Sequence, residues 1–133
     1  MSGGAVAGKL GFAGSSYDTG SGTIDGRPVD LVHLSKYTLG DRSLEGELLS
    51  LFRTQAVIYL EKLERTDCAK EWVDMAHSLK GSAKGIGAWA LADIAEDAER
   101  METPQAAGRQ EALSQLRRSI DLVGLFIDDI LRD

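Results

Sequence analysis

The chain has 133 residues, 43% of them hydrophobic, 27% charged and 6% aromatic, with two prolines, one cysteine and a formal charge of −6 at pH 7. Such a length bounds one small domain with room for a tail, the lone Cys68 excludes an internal disulfide and suits a reducing compartment, and the acidic balance weighs against a nucleic-acid binder. No apolar stretch reaches the roughly 18–20 residues needed to span a bilayer, no positive cluster precedes an apolar core as in a secretory signal, and no complete G-x-x-x-x-G-K-[ST] phosphate loop is present. The expectation is a soluble, cytoplasmic chain that contacts neither membrane nor nucleic acid.

Eight of the fifteen glycines fall in residues 1–29, which are also rich in Ser and Thr and carry no hydrophobic period. This stretch reads as a flexible Gly/Ser-rich N-terminal arm. From residue 30 to 133 the pattern is helical. Asp30 is a good N-cap for a short helix over Leu31–Thr38, ended by Gly40. Asp41 caps a long helix over Arg42–Arg65, with Leu44, Leu48, Leu51, Phe52, Ala56, Tyr59, Leu60 and Leu63 at helical spacing. Thr66 and Asp67 are the next capping residues, for a helix over 68–85. Gly85-Ile86-Gly87 reads as a break. A fourth long segment covers 88–102. Thr103-Pro104 then reads as a cap with Pro at the first helical position of a last helix over 105–131. Four amphipathic helices with short connections predict an all-α, antiparallel four-helix bundle with a short extra N-terminal helix.

The chemistry concentrates in 72–91, WVDMAHSLKGSAKGIGAWAL. At about 100° per residue, Trp72, Ala76, Leu79, Ala83, Ile86 and Ala90 form a core stripe. His77, Lys80, Gly81, Lys84 and Ala88 form a second stripe, with Lys70 and Val73 above it, turned away from the first. His77 is therefore expected on an exposed face among lysines. Residues 75–92 hold Lys80 and Lys84 and no carboxylate, whereas 93–102 hold five. Gly81 lies one turn after His77, where glycine costs about 1 kcal/mol relative to alanine, so close approach by something else is the natural explanation. A neutral imidazole nitrogen can attack a phosphoryl group. Neighbouring ammonium groups favour that neutral form and screen the arriving oxygens. His33 and the two tryptophans read as structural. The Asp74-x-x-His77 spacing is a poor metal site, because no second histidine-carboxylate pair matches it.

Ala76-His77-Ser78-Leu79-Lys80-Gly81-Ser82-Ala83, followed by Gly87-Ala88 and Leu91, resembles the A-H-x-L-K-G-x-A-x-x-x-G-A-x-x-L signature of histidine-containing phosphotransfer (HPt) domains. The resemblance covers residues 30–133, excludes the arm, and is similar in layout to stand-alone alphaproteobacterial members. It implies a four-helix bundle in which His77 accepts a phosphoryl group from a receiver-domain aspartate and passes it to another. By the same resemblance Lys80 and Lys84 stabilise the phosphohistidine, and Gly81 leaves room for the receiver. Val73 and Ala88 are the further docking positions expected on that face. The implied partners are the receiver domains of a hybrid histidine kinase and a response regulator. No cofactor is expected on this chain, Mg²⁺ being confined to the partner, and neither is intrinsic ATP-dependent kinase activity. A single copy of the chain is expected. The alternatives are a phosphoacceptor domain of a histidine or chemotaxis kinase system, and a helical adaptor that is never phosphorylated.

Overall fold

The computed structural model describes residues 26–132; most of the expected arm, residues 1–25, lies outside them. Five helices follow in order: α1 Leu31–Thr38, α2 Arg42–Arg65, α3 Ala69–Ile86, α4 Trp89–Arg100 and α5 Arg109–Arg132. The described chain is all-helical. α2 packs on α3 and α5, α4 packs on the same two, and α1 lies against α2 and α3. The four long helices thus close a ring around one core, and Leu49, Phe52, Leu63, Trp72, Leu79, Leu91, Leu116 and Ile127 fill it.

The first two helices begin where their aspartates cap them. Asp30 Oδ1 accepts from His33 N at 3.0 Å, and Asp41 Oδ1 accepts from Leu44 N at 3.0 Å. Each satisfies a backbone N–H that the first helical turn leaves without a partner. Val29, expected to end the arm, is instead 1% exposed and belongs to the core. An apolar side chain one residue before the cap packs inward and fixes how the chain enters the helix.

The turn between α3 and α4 is a Schellman closure. Gly87 has φ +79°, its N–H donates to Lys84 O at 3.1 Å, and Ala88 N–H donates to Ala83 O at 2.8 Å. Asp30 seals the turn from outside. Its N–H donates to Gly87 O at 2.9 Å, and its Oδ2 accepts from Trp89 Nε1 at 3.1 Å.

Three boundaries differ from the sequence reading. Cys68 is the N-cap of α3 but makes no side-chain cap bond, and it is exposed; Thr66 Oγ1 accepts its N–H instead. α4 stops at Arg100, and Glu102 adopts a left-handed φ of 66°. α5 starts at Arg109 rather than just after Pro104, which is buried in the connecting turns. Arg109 anchors that start by donating to Leu63 O and Glu64 O at 3.2 and 2.8 Å, which satisfies the carbonyl end of α2. Farther along α5, the Arg53 guanidinium lies against the bare Cα of Gly124 and reaches Asp128 at 2.7 Å. A glycine inside that helix is explained by this crossing.

Candidate functional site

α3 carries a buried stripe of Trp72, Ala76, Leu79, Ala83 and Ile86; Ala90, the last residue predicted for that stripe, lies beyond the Gly87 turn on α4 and is only half-buried, because the helix does not continue that far. Trp72 anchors the stripe to α4 through Nε1, which donates to Ala98 O at 2.7 Å in the buried interior. His77 is turned outward, its side chain 67% exposed. Gly81 is exposed, and a Cβ there would meet nothing within 4 Å, so the face is open. Lys84 is also exposed, and Val73 is half-buried at the edge of the core.

Ala88 corrects the expected face. It is 0% exposed, so it is not a docking position. The 100° arithmetic that placed it beside His77 assumes one continuous helix. α3 ends at Ile86, and the left-handed Gly87 turns Ala88 inward as the N-cap of α4.

The charge around His77 is also different from the expected lysine patch. His77 Nδ1 lies 2.9 Å from Glu99 Oε2, and Lys80 Nζ lies 2.7 Å from Glu99 Oε1. One carboxylate on α4 therefore engages both the imidazole and the nearest lysine. Lys80 and Glu99 are partly covered, with side chains 17% and 23% exposed. The Lys80 ammonium above all, and the His77 ring after it, hold the Glu99 carboxyl below the usual carboxylate range. Lys70 is occupied by Asp74 one turn along α3, at 2.7 Å, which raises the lysine above its ordinary value. Asp74 therefore pairs with a lysine and not with His77. Lys84 retains a free ammonium face, and its charge reaches Asp93 on α4 without offsetting the burial that pushes that carboxyl up.

Glu99 was passed over in the sequence because it sits in the acidic run after the turn. The signal was available: His77 and Glu99 are 22 residues apart with the Gly87-Ala88 turn midway between them. A tight antiparallel hairpin sets such residues level with one another, since both arms rise about 1.5 Å per residue.

Leu44 and Leu51, two of the apolar positions at helical spacing in α2, are 38% and 56% exposed, and Ile58 is 40% exposed. Their seven-residue spacing makes an outward apolar stripe on the helix beside α3. The other histidine, His33, is half-buried on α1, its ring against Tyr37 and Trp89 at centroid distances of 5.0 and 4.7 Å. Among the described residues no group of three His, Cys, Asp or Glu side chains is placed to hold a metal ion, and no helix is long and apolar enough to cross a membrane.

Comparison with known proteins gives a consistent result. No curated protein matches the chain. The crystal structure of histidine-containing phosphotransfer protein B (HptB) from Pseudomonas aeruginosa PAO1 shares its fold, with a TM-score of 0.70 at 21% identity, covering 81% of this chain and 98% of that one. The model of the Hpt domain family matches residues 47–125, more than half of the chain and the whole of α3 and α4. On that match, the chain belongs to the Hpt domain family.

Proposed function

We propose that the chain relays a phosphoryl group between receiver-domain aspartates through a phosphohistidine at His77. The observation that carries this reading is an elimination. The chain has two histidines; His77 lies inside the family match and is two-thirds exposed, whereas His33 lies outside it and is half-buried. A phosphocarrier must present its histidine to the cleft of another protein, and only His77 is so presented.

Lys80 and Lys84 are the cations for the phosphoryl oxygens. Lys80 lies one turn from His77 and brings three donors, of which Glu99 engages one. Gly81 and Val73 line the approach, and the α2 stripe of Leu44, Leu51 and Ile58 offers apolar area to the docked receiver. The receivers of a hybrid kinase and of a response regulator are the fitting partners, because their acidic pockets complement the lysines. Mg²⁺ belongs to those pockets. The chain works as a cytoplasmic monomer without kinase activity of its own.

The test is transfer of label from a phosphorylated receiver domain. Wild type acquires an acid-labile, alkali-stable phosphoramidate, and His77→Gln acquires none. Equal labelling of the variant overturns the assignment of His77. Labelling by ATP and Mg²⁺ alone overturns the phosphocarrier reading.

A further inference from the structure

We propose that two copies of this chain pair reversibly through the outer face of α5. The two helices run antiparallel, with Leu122 against the partner's Leu125 and Arg118 against the partner's Asp129. One chain suffices for the transfer proposed above, and the pairing does not depend on that reading.

α5 has a free side. It packs on α2 and α4 and makes no contact with α3, so it stands across the ring from the helix that carries His77. Its buried stripe of Leu116, Ile120, Val123 and Ile127 faces the bundle. At about 100° per residue, Arg118, Leu122, Leu125 and Asp129 fall within one arc of about 60° on the opposite side. Leu122 and Leu125 are 60% and 64% exposed, more than any large apolar residue of α2, α3 or α4. Arg118 and Asp129 are exposed as well. Their contacts are to neighbours on the same helix, Ser114 at 3.3 Å and Arg132 at 3.4 Å. Such exposed contacts are worth little in water and are readily exchanged for others.

The order of these residues selects both the partner and its direction. Their spacing of four, three and four is that of a coiled-coil seam. Laid antiparallel about a two-fold axis midway between Leu122 and Leu125, each residue meets its complement, and each contact is made twice. Laid parallel, the same face sets Arg118 on the partner's Arg118 and Asp129 on the partner's Asp129, which like charge disfavours. A face that complements itself in one direction and repels itself in the other calls for a second copy of the chain. Glu111 and Arg132 extend the seam at the same spacing and are also exposed. The seam thus carries two charges of each sign, although the whole chain carries −6. Two copies can therefore approach along it without the repulsion that their net charge produces elsewhere.

Size sets the strength. A seam of a few residues covers less than the roughly 800 Å² per partner of a standard interface, so the pair dissociates readily. Because α5 stands across the ring from α3, the pair turns its two His77 side chains outward on opposite sides. Each remains open to a receiver.

Sedimentation equilibrium of the full chain reads the pairing. The wild-type mass is expected to rise from one chain at about 10 µM toward two chains at about 1 mM. A mass of one chain throughout overturns the proposal and leaves the α5 face to a different protein. Leu125→Glu sets a carboxylate against the partner's Leu122, and is expected to remain one chain with an unchanged far-UV circular dichroism spectrum. Pairing equal to wild type in that variant overturns the proposal. Arg118→Glu and Asp129→Arg each place like charges opposite one another, and each is expected to weaken the pair by about tenfold or more. Mixed in equal amounts, the two variants face opposite charges at both ends of the seam and are expected to pair as wild type does. A mixture that pairs no better than its components overturns the antiparallel register. Label transfer from a phosphorylated receiver is expected at the wild-type rate in all three variants. A rate that falls with the pairing overturns the independence of the α5 face from His77.

Discussion

Asp30 and Gly87 are in main-chain contact, with the Asp30 N–H donating to the Gly87 carbonyl at 2.9 Å. That contact joins the entry of α1 to the turn that sets α4 against α3. A Cβ on Gly87 would stand 2.8 Å from both the Cβ and the carbonyl oxygen of Asp30. The turn therefore has two reasons for glycine, a left-handed backbone and a close neighbour.

Gly87→Ala is expected to destabilise the fold by about 2 kcal/mol or more, from the left-handed conformation together with the clash. Urea unfolding followed by far-UV circular dichroism measures it. A variant within 0.5 kcal/mol of wild type, the scatter of ordinary surface changes, contradicts this account of the turn.

Gly81→Gln separates folding from access. The site is open and helical, so the fold is expected to be unharmed and even stabilised by up to about 1 kcal/mol, since glutamine is the better helix former. Phosphotransfer from a receiver is expected to be lost. A folded variant that accepts label at the wild-type rate shows that the receiver does not approach over Gly81.

Lys80→Ala is expected to shorten the lifetime of the phosphohistidine more than Lys84→Ala. The Lys80 ammonium is partly covered and held close to the ring's carboxylate partner, whereas Lys84 stands in solvent two turns from His77. Screening by water weakens the more exposed charge. Decay of labelled protein after removal of the receiver gives both lifetimes, and the reverse order removes Lys80 from its role.

His33 predicts a pH dependence of stability. Burial, the dominant influence, lowers its value from the ordinary 6.5, against the opposing pull of Asp30 and the Lys84 carbonyl. The unfolded chain then binds the proton more readily than the folded one. Stability is unaffected above pH 6.5 and falls as pH drops below it, until the lowered folded value is passed. His33→Phe is expected to flatten the urea midpoint between pH 7 and 5.5. An unchanged slope in that variant assigns the dependence to another group.

Trp72→Phe should cost about 1–3 kcal/mol, because Ala98 O loses a buried donor and the smaller ring leaves space behind. Near-wild-type stability would mean that the indole bond contributes little to the α3–α4 contact.

The parts legible from sequence were those whose causes are local. α1 and α2 begin and end where the caps indicate, because Asp30 and Asp41 satisfy N–H groups three residues ahead in their own chain. The core stripe of α3 follows from helical period alone, and with it the outward direction of His77. The start of α5 did not follow, because Arg109 is anchored by carbonyls of α2 that no local pattern records. The exposed stripe of α2 was not legible for a related reason: period shows apolar residues at helical spacing, but not whether another helix covers them.

The residues themselves, through period, caps and motif, were sufficient for an all-helical chain, for the family, and for a histidine held away from the core. They were not sufficient for its surroundings. Folding at Gly87 buries Ala88 and brings Glu99 level with His77, and so exchanges an expected patch of lysines for a shared carboxylate. Charge interactions depend on distance through space, and the distance between His77 and Glu99 is set by how two helices pack, not by the 22 residues that separate them along the chain.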